Sequence, residues 1–325
     1  MAILKLEPAF KEYLWGGNKL VKNYHKDYRG DVLAESWELS CHPEGPSVIM
    51  NGKEAGKTLP EYIEMHGREI LGYNCRRFSD FPILIKMIDA KEALSIQVHP
   101  DDEFALQHEG QYGKTEMWYI AECEEDAYLY YGFAREISKE ELVQRVRENT
   151  LLETLNAVPV QKGDVLLIEA GTLHAIGKGI VIAEIQQNSN VTYRVYDYGR
   201  IGKDGRQRDL HIDKALAVTN RIPIKRKSCN PHVADCDYFT VDKLSLDGIR
   251  MKKMGGFITQ DSFFSILILE GEGIIRCKDE QLAFHKGDSL FLTADSGEYE
   301  LDGRCEALIT SIGGVHAEKN IQFTV

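Results

Sequence analysis

Short segments with the composition of β-strands dominate this chain of 325 residues, and they restrict its fold more than any other feature. Each segment is rich in β-branched and aromatic residues and is bounded by Gly, Pro or Asp, as strands usually are. The segments are FPILIKMIDA, ALSIQVHP, EMWYIAEC, AYLYYGF, GDVLLIEA, GIVIAEIQQ and TYRVYDYG. Few helical patterns separate them. The sequence therefore predicts a mainly β protein of antiparallel sandwiches or barrels rather than an alternating β–α–β array.

Three segments between the strands are predicted to be helices. TLPEYIEMHGREILG begins with Thr58 and Glu61, which have the spacing of a capping box. SKEELVQRVRENTLLETL has the same spacing between Ser138 and Glu141. HPDDEFALQHEG, which starts at His99, is predicted to form a short helix.

A faint internal repeat indicates two β units. QKGDVLLIEAGTLHAI starts at Gln161 and HKGDSLFLTADSGEYEL starts at His285, so that K-G-D is followed by an apolar run in both. In an ungapped alignment His174 falls on Glu298, although so short a match also arises by chance. We predict that residues 1–222 hold an N-terminal segment and a barrel with helical insertions, and that residues 223–325 form a second, metal-free β domain.

Composition excludes several classes of partner. The net charge of −12 argues against nucleic acid, which favours basic surfaces. No apolar run has the length of a membrane span, and the N-terminus lacks the apolar stretch of a signal peptide. The seven scattered cysteines fit neither a disulfide framework nor a structural zinc knuckle. We expect a cytoplasmic protein that binds neither nucleic acid nor membranes, and the sequence makes no prediction about its oligomeric state.

Four polar residues on or near predicted strands have the chemistry of a metal site. Gln97 and His99 are two residues apart, so they share one face of a strand. Glu116 lies on the next strand, and His174 follows the turn EAGT. Two imidazoles, one carboxylate and one amide oxygen suit a divalent transition metal, and zinc most easily. The alternative is that each histidine is a hydrogen-bonded core residue.

At these residues the chain resembles a known superfamily. GDVLLIEAGTLHAIG is similar to the second cupin motif, with Glu169 in place of its proline and Lys178 in place of its final asparagine. The first cupin motif usually contains H-x-H, and here the triplet is Gln97-Val98-His99. LSIQVHPDD followed by KTEMWYI resembles the short bacterial form of the type I mannose-6-phosphate isomerases. The likeness extends to YLWGGNKL, AESWELSCHPEG and SNVTYRVYDYGR, and it is weakest in the C-terminal third.

This resemblance implies a fold and an activity. The fold would consist of two cupin-type jelly-roll barrels with a few short helices. The activity would be a zinc-dependent interconversion of mannose 6-phosphate and fructose 6-phosphate through an enediolate, with one zinc ion per chain and a phosphosugar as the partner. The same resemblance assigns the zinc ligands and the substrate-binding and catalytic residues: Gln97, His99, Glu116 and His174 as ligands; Ser95, Lys114 and Arg194 as substrate-binding residues; Arg194, Lys114 and Glu184 as catalytic residues.

Isomerisation moves a carbon-bound proton between C1 and C2, so the site needs a base and a group that stabilises the developing negative charge. Arg194 could stabilise that charge or hold the phosphate through its planar guanidinium group. Glu184 could be the base if burial raises its pKa, and Lys114 could be the base if its pKa is lowered. The alternatives are a structural ion pair between Glu184 and Arg194 and a solvated Lys114.

The segment YDYGRIGKDGRQRDLH supplies further cations that could hold the phosphate. We expect one of them to contact the ligand and the rest to face solvent: Arg200, Lys203, Arg206 and Arg208. Trp15 could line the pocket or, as the more common alternative, belong to the core.

Two other functions fit the same residues. Two histidines and a carboxylate also form the ligand set of non-haem iron oxygenases. A cupin that binds a sugar phosphate without turnover is the second alternative. Gln97 as a fourth ligand, together with Arg194 and Lys114, favours the isomerase.

Overall fold

A computed structural model describes residues 2–202, 205–225 and 229–314 of the chain. In these ranges the strands are β1 (Ile3–Glu7), β2 (Ala9–Lys11), β3 (Glu35–Leu39), β4 (Val48–Ile49), β5 (Ile83–Ala90), β6 (Ile96–Val98), β7 (Glu116–Cys123), β8 (Tyr128–Phe133), β9 (Leu155–Pro159), β10 (Val165–Ile168), β11 (His174–Ala175), β12 (Ile180–Gln187), β13 (Tyr193–Tyr196), β14 (Ala234–Asp235), β15 (Thr240–Leu246), β16 (Lys253–Ile258), β17 (Phe264–Cys277), β18 (Glu280–His285), β19 (Ser289–Leu292) and β20 (Gly297–Ser311). The α-helices are α1 (Lys19–Tyr24), α2 (Leu59–His66), α3 (Asp102–His108), α4 (Lys139–Arg147) and α5 (Ile212–Val218), and 3₁₀ turns span Gly52–Glu54, Arg68–Leu71, Tyr73–Arg77 and Leu151–Thr154.

The fold is mainly β, as the strand pattern predicts, and each of the seven predicted strand segments contains a strand. The three predicted helices are also present as α2, α3 and α4. The side chain of Thr58 accepts a hydrogen bond from the Glu61 backbone N–H, and the Glu61 carboxylate accepts one from the Thr58 N–H. Ser138 likewise accepts from the Glu141 N–H. Both helix starts were therefore readable from the sequence.

The chain divides into two compact units, and the division is discontinuous. Of the described residues, the central unit contains 8–45, 83–202 and 205–225, and the C-terminal unit contains 2–7, 46–82 and 229–314. The predicted boundary between residues 222 and 223 lies close to the point before Cys229 at which the chain last passes from the central unit to the C-terminal unit. A single cut nevertheless does not describe the division, because two N-terminal segments belong to the C-terminal unit.

The central unit is built from two antiparallel sheets. One has the strand order β10-β7-β12-β5-β3-β2, and the other has the order β13-β6-β11-β8-β9. An apolar cluster that includes Trp118, Leu129, Leu166, Ile176 and Ile182 draws residues from both sheets, so their inner faces are packed against each other. The polar residues of the candidate site lie on these same inner faces.

The C-terminal unit contains one nine-stranded antiparallel sheet, whose main path is β14-β15-β20-β17-β19-β1-β4, with β16 paired to β20 and β18 paired to β17. Strand β1 pairs with β19 over Ile3 to Leu6, although about 285 residues separate the partners in sequence. Ile3 belongs to the buried apolar cluster of this unit, together with residues of β15, β17 and β20. The N-terminal strand is therefore part of the core of this unit.

The internal repeat corresponds to the same turn in both units. In the central unit Gly163 N donates to Ile120 O at 2.8 Å, and Ile120 N donates to Asp164 O at 2.9 Å. In the C-terminal unit Gly287 N donates to Ile268 O at 2.8 Å, and Ile268 N donates to Asp288 O at 2.9 Å. Both glycines have a positive φ, 94° and 90°, which favours glycine at this position. The K-G-D match is thus a structural repeat and not a chance similarity.

Each α-helix in the described ranges is too short or too polar to cross a membrane.

Candidate metal centre

Strand register places three predicted site residues side by side on the five-stranded sheet of the central unit. Gln97 on β6 is paired with His174 on β11 and with Arg194 on β13. Directly paired residues of neighbouring strands project from the same face of a sheet. Gln97 therefore lies between His174 and Arg194 on the inner face, and its neighbours Ile96 and Val98 point into the apolar cluster on the other face.

The six-stranded sheet brings the acidic residues to the opposite wall. Glu116 on β7 is paired with Gln186 on β12, and two residues further along Trp118 is paired with Glu184. Glu184 is in turn paired with Lys86 on β5. Because side chains alternate along a strand, these residues share the inner face.

His99, Glu116 and His174 converge at one buried point between the two sheets. Their ligand atoms all lie within 4.8 Å of one another, and all three side chains are buried. His99 Nε2 is 3.7 Å from Glu116 Oε2, and His174 Nε2 is 3.5 Å from Glu116 Oε1. These three residues, which span 76 positions of the sequence, therefore lie together as the sequence predicts.

The Nδ1 hydrogen bonds of the two histidines turn their Nε2 atoms toward Glu116. His99 Nδ1 donates to Val191 O and His174 Nδ1 donates to Thr172 O, both at 2.8 Å. A carbonyl oxygen only accepts, so Nδ1 carries the proton and Nε2 carries a lone pair in each ring. Burial lowers the pKa of His174 to about 4 and that of His99 well below its ordinary value, which keeps both rings neutral.

These donors fit a divalent cation. His174 Nε2 and Glu116 Oε1 are buried without a hydrogen-bond partner, a costly arrangement unless another group completes it. Two neutral imidazoles and a carboxylate are a common set for zinc. Gln97, on the same face as His174, can supply a fourth, amide oxygen.

Two buried lysines accompany the acidic residues. Lys114 Nζ lies 2.7 Å from Glu116, 3.7 Å from Glu184 and 3.3 Å from His99 Nε2. Lys86 Nζ lies 3.1 Å from Glu184 and 3.8 Å from Glu35. Lys114 is buried, so the alternative of a solvated lysine is wrong. Three carboxylates and two ammonium groups leave a formal charge of −1, which favours a cation.

The two site carboxylates differ in acidity. Burial, with a contribution from Glu184, raises the pKa of Glu116 to about 7. Burial also raises the pKa of Glu184, but Lys114 and Lys86 outweigh it and lower the pKa to about 2. The condition for Glu184 to act as the base, a pKa raised by burial, is therefore not met, because two ammonium groups compensate its charge.

Lys86 and Glu35 are site residues that the sequence reasoning missed. A signal existed for Lys86, which interrupts the apolar run FPILIKMIDA and therefore had to be either exposed or paired. Glu35 accepts a hydrogen bond from Trp37 Nε1 at 2.8 Å. No periodicity links it to the metal ligands, so only the strand pairing brings it to the site.

Arg194 lies apart from Glu184 and belongs to an arginine cluster. Its Nη1 donates to Asp209 O at 2.9 Å, while its buried Nε has no partner. Arg200 and Arg208 both donate to Asp197, the latter at 2.8 Å through Nε. Within the described ranges no ion pair joins Glu184 to Arg194, so that alternative is wrong. Lys203 lies outside the described residues.

The two remaining candidates are buried. Ser95 is on the same face of the β6 segment as Gln97, two residues before it, and has little exposed surface. Trp15 belongs to the apolar cluster of the central unit, as the more common alternative anticipated. Gly16, next to Trp15, has no room for a side chain, because a Cβ atom would lie 2.5 Å from the Cβ of Ala34.

Comparisons with known proteins agree with this geometry. A family model described as phosphomannose isomerase type I, catalytic domain, matches residues 3–122, and one described as mannose-6-phosphate isomerase, cupin domain, matches residues 230–312. The chain is 39% identical to the probable mannose-6-phosphate isomerase GmuF of Bacillus subtilis, over 94% of this chain and 98% of that protein.

Solved structures show the same fold. The crystal structure of the mannose 6-phosphate isomerase from Bacillus subtilis matches with a TM-score of 0.87 and 33% identity, covering 95% of this chain and 99% of that one. A zinc-bound mannose 6-phosphate isomerase matches with a TM-score of 0.77, covering 95% of this chain and 99% of that one. Its 18% identity makes the second match evidence for the fold alone.

Proposed function

The chain belongs to the type I mannose-6-phosphate isomerase family of cupin enzymes, and from this premise we propose that it interconverts mannose 6-phosphate and fructose 6-phosphate at a single zinc ion. We further propose that Gln97, His99, Glu116 and His174 hold that ion. The family membership favours this reaction over the oxygenase and over a non-catalytic sugar-phosphate-binding protein.

The observation that carries the proposal is the buried cluster of His99, Glu116 and His174, in which His174 Nε2 and Glu116 Oε1 have no hydrogen-bond partner. Both rings are held in the required tautomer by carbonyl oxygens, so the site needs little rearrangement to bind a cation. A divalent cation held by these residues would polarise a substrate oxygen.

Lys114 and Glu184 are the two candidates for moving the proton between C1 and C2. The low pKa of Glu184 makes it a weak base, although it keeps the carboxylate form at neutral pH. Lys86 stays an ammonium group beside Glu184, because the two nearby carboxylates raise its pKa despite burial. We therefore favour Lys114 as the base, with Glu184 and Lys86 fixing its position and the local charge.

The arginine cluster is suited to the phosphate. Arg194, Arg200 and Arg208 present three guanidinium groups, and Asp197 neutralises only one of these charges. The unpaired Nε of Arg194 is a buried donor that an anionic ligand would satisfy. Arg200 also donates to Ala93 O, two residues from Ser95, which brings the cluster to the segment that carries the predicted serine. The phosphate would lie among these groups.

Incubation of the zinc-loaded protein with mannose 6-phosphate, with detection of fructose 6-phosphate, tests the proposed function. We expect turnover, its loss on chelation and its return with zinc. His174→Gln should lose zinc and activity, whereas the exposed His285→Gln should keep both. Metal analysis should give one zinc per chain. Full activity of a verified metal-free sample, or two zinc ions per chain, would contradict the proposal.

The scattered cysteines support a reducing compartment, and we assign the reaction to the cytoplasm.

A further inference from the structure

Gln187, the last residue of β12, is bonded to the segment that carries Lys114, and neither the sequence patterns nor the proposed ligand set gives it a role. We propose that Gln187 is a positioning residue, which fixes the Lys114 ammonium group between Glu116 and Glu184. This inference rests on the proposed function, because it assigns the positioned lysine to the isomerase site.

Lys114 needs such a residue because it lies outside the sheet. Strand β7 begins at Glu116, which is held on both sides by ladder partners, Ile168 on β10 and Gln186 on β12. Lys114 and Thr115 precede the strand. Their position therefore depends on individual hydrogen bonds rather than on the cooperative ladder.

Five hydrogen bonds hold this short segment in the described part of the chain, one of them from Ala170 N to Thr115 Oγ1 at 3.3 Å, and Gln187 takes part in two of the others. Thr115 N donates to Gln187 Oε1 at 2.8 Å, and Gln187 N donates to Thr115 O at 3.1 Å. Lys114 N donates to Pro100 O at 3.0 Å, and Gly113 N donates to Asp102 Oδ1 at 2.8 Å. The segment is thus held between the end of β12 and the start of α3.

The Gln187 side chain joins these two supports to each other. Its Nε2 donates to Asp102 Oδ1 at 2.8 Å, while its Oε1 accepts from Thr115. The carboxylate of Asp102 can only accept and the backbone N–H can only donate, so the orientation of the amide is unambiguous. An aliphatic side chain would leave the buried Thr115 N–H without an acceptor, and a carboxylate would face Asp102 with a like charge.

The position of Lys114 matters because its Nζ contacts groups from three strands or strand ends: Glu116, Glu184 and His99. Displacement of a reacting group by about 1 Å can reduce a rate by about 10²-fold. Glu116 and His99 keep their own supports when Gln187 is changed, so metal binding should depend on Gln187 far less than turnover does.

Gln187→Leu is the first variant. We expect kcat to fall between about tenfold and 10²-fold, with little change in KM and in the zinc dissociation constant. The Thr115 amide should also lose hydrogen-exchange protection. A kcat equal to that of the wild type would overturn the proposal, and so would an equal loss of zinc affinity and turnover, since that pattern indicates general damage to the site.

An exchange of the two polar partners separates positioning from packing. Gln187→Glu alone should lower kcat, because two carboxylates then face each other. Combined with Asp102→Asn, the amide and the carboxylate change places, and a rotation of the new amide lets its oxygen accept from Gly113 N while its nitrogen donates to the new carboxylate, since both native bonds end on Asp102 Oδ1. We expect the double variant to recover most of the lost kcat and the Thr115 protection. A double variant with the sum of the two single losses would overturn the proposal.

Asn51→Leu is a matched control in the C-terminal unit. Asn51 also joins two backbone groups through its amide, accepting from Lys5 N at 2.8 Å and donating to Ile3 O at 3.0 Å. This variant should lower the melting temperature and leave kcat unchanged. The exchange measurement needs no turnover, so an inactive wild type would refute the isomerase function while the Thr115 result would still test the contact that Gln187 makes.

Discussion

The sequence predicts which residues share the candidate site when those residues lie on one strand. It does not predict them when the pairing of separate strands brings them together. Side chains alternate along a strand, so Gln97 and His99 were predicted to share one face. Glu116 and His174 were added to the predicted site because carboxylates and imidazoles are metal ligands. Lys86 reaches Glu184 because β5 and β12 are neighbours, which no local pattern specifies. The low pKa of Glu184 could not be predicted for the same reason, since its two lysine neighbours come from other segments.

The raised pKa of Glu116 makes zinc uptake pH-dependent. A carboxyl group with a pKa of about 7 is about half protonated at pH 7 in the metal-free protein, whereas a ligand carboxylate is ionised. The neutral histidines add no protons at this pH. We expect zinc binding to release about half a proton per ion at pH 7, more at pH 6.5 and almost none at pH 8.5.

Calorimetry in buffers of different ionisation enthalpy measures this release. The sign follows from the direction of the shift, because a raised pKa keeps the proton bound to higher pH until the cation displaces it. Release that is absent at pH 6.5, or that increases with pH, would show that Glu116 is already ionised and that another group titrates.

At the scale of elements, the existence and type of strands and helices were predictable, whereas their pairing was not. Alternation and turn residues mark the strands, and Thr58 and Ser138 mark helix starts through hydrogen bonds to residues three positions away. Pairing joins distant residues, such as His174 with Gln97, and depends on the packing of whole faces. The K-G-D repeat was an exception, because a short turn motif carries its own pairing.

Gly177 tests how closely β8 and the end of β11 must approach. A Cβ atom on Gly177 would lie 1.7 Å from the backbone oxygen of Tyr128, which cannot move without disturbing β8. We expect Gly177→Ala to lower the free energy of unfolding by about 3 kcal/mol and to weaken zinc binding through His174. Urea unfolding and a zinc titration measure the two effects.

Gly110→Ala is the control for this variant. Its Cβ atom would meet no heavy atom within 4 Å, so only its φ of 66° opposes the change, at a cost of about 1 kcal/mol. If both alanine variants lose the same stability, the close approach at Gly177 contributes nothing.

At the scale of the whole molecule, the two β units were predictable from the repeat, but their composition was not. Residues 2–7 have a strand pattern that fits any sheet, and only the structure shows that β1 pairs with β19. A boundary read along the sequence therefore separates β1 from its partner.

A chain ending at residue 222 should consequently be unstable. It keeps β1 and β4 but lacks β19, so Ile3, Leu4 and Leu6 lose the cover that buries them in the full chain. We expect this fragment to aggregate, and expect co-expression of residues 223–325 as a separate chain to restore soluble, zinc-binding protein. A fragment 1–222 with the melting temperature of the full chain would contradict the discontinuous division.

The position of β1 also sets an order of assembly during synthesis. Strand β1 is synthesised about 285 residues before its ladder partner at Ser289–Leu292, so it must wait while the intervening segments are translated. The residues of the central unit emerge earlier and can form their sheets in that interval. The nascent chain thus carries β1 as an unpaired apolar segment throughout that interval, when protection by chaperones would guard it against aggregation.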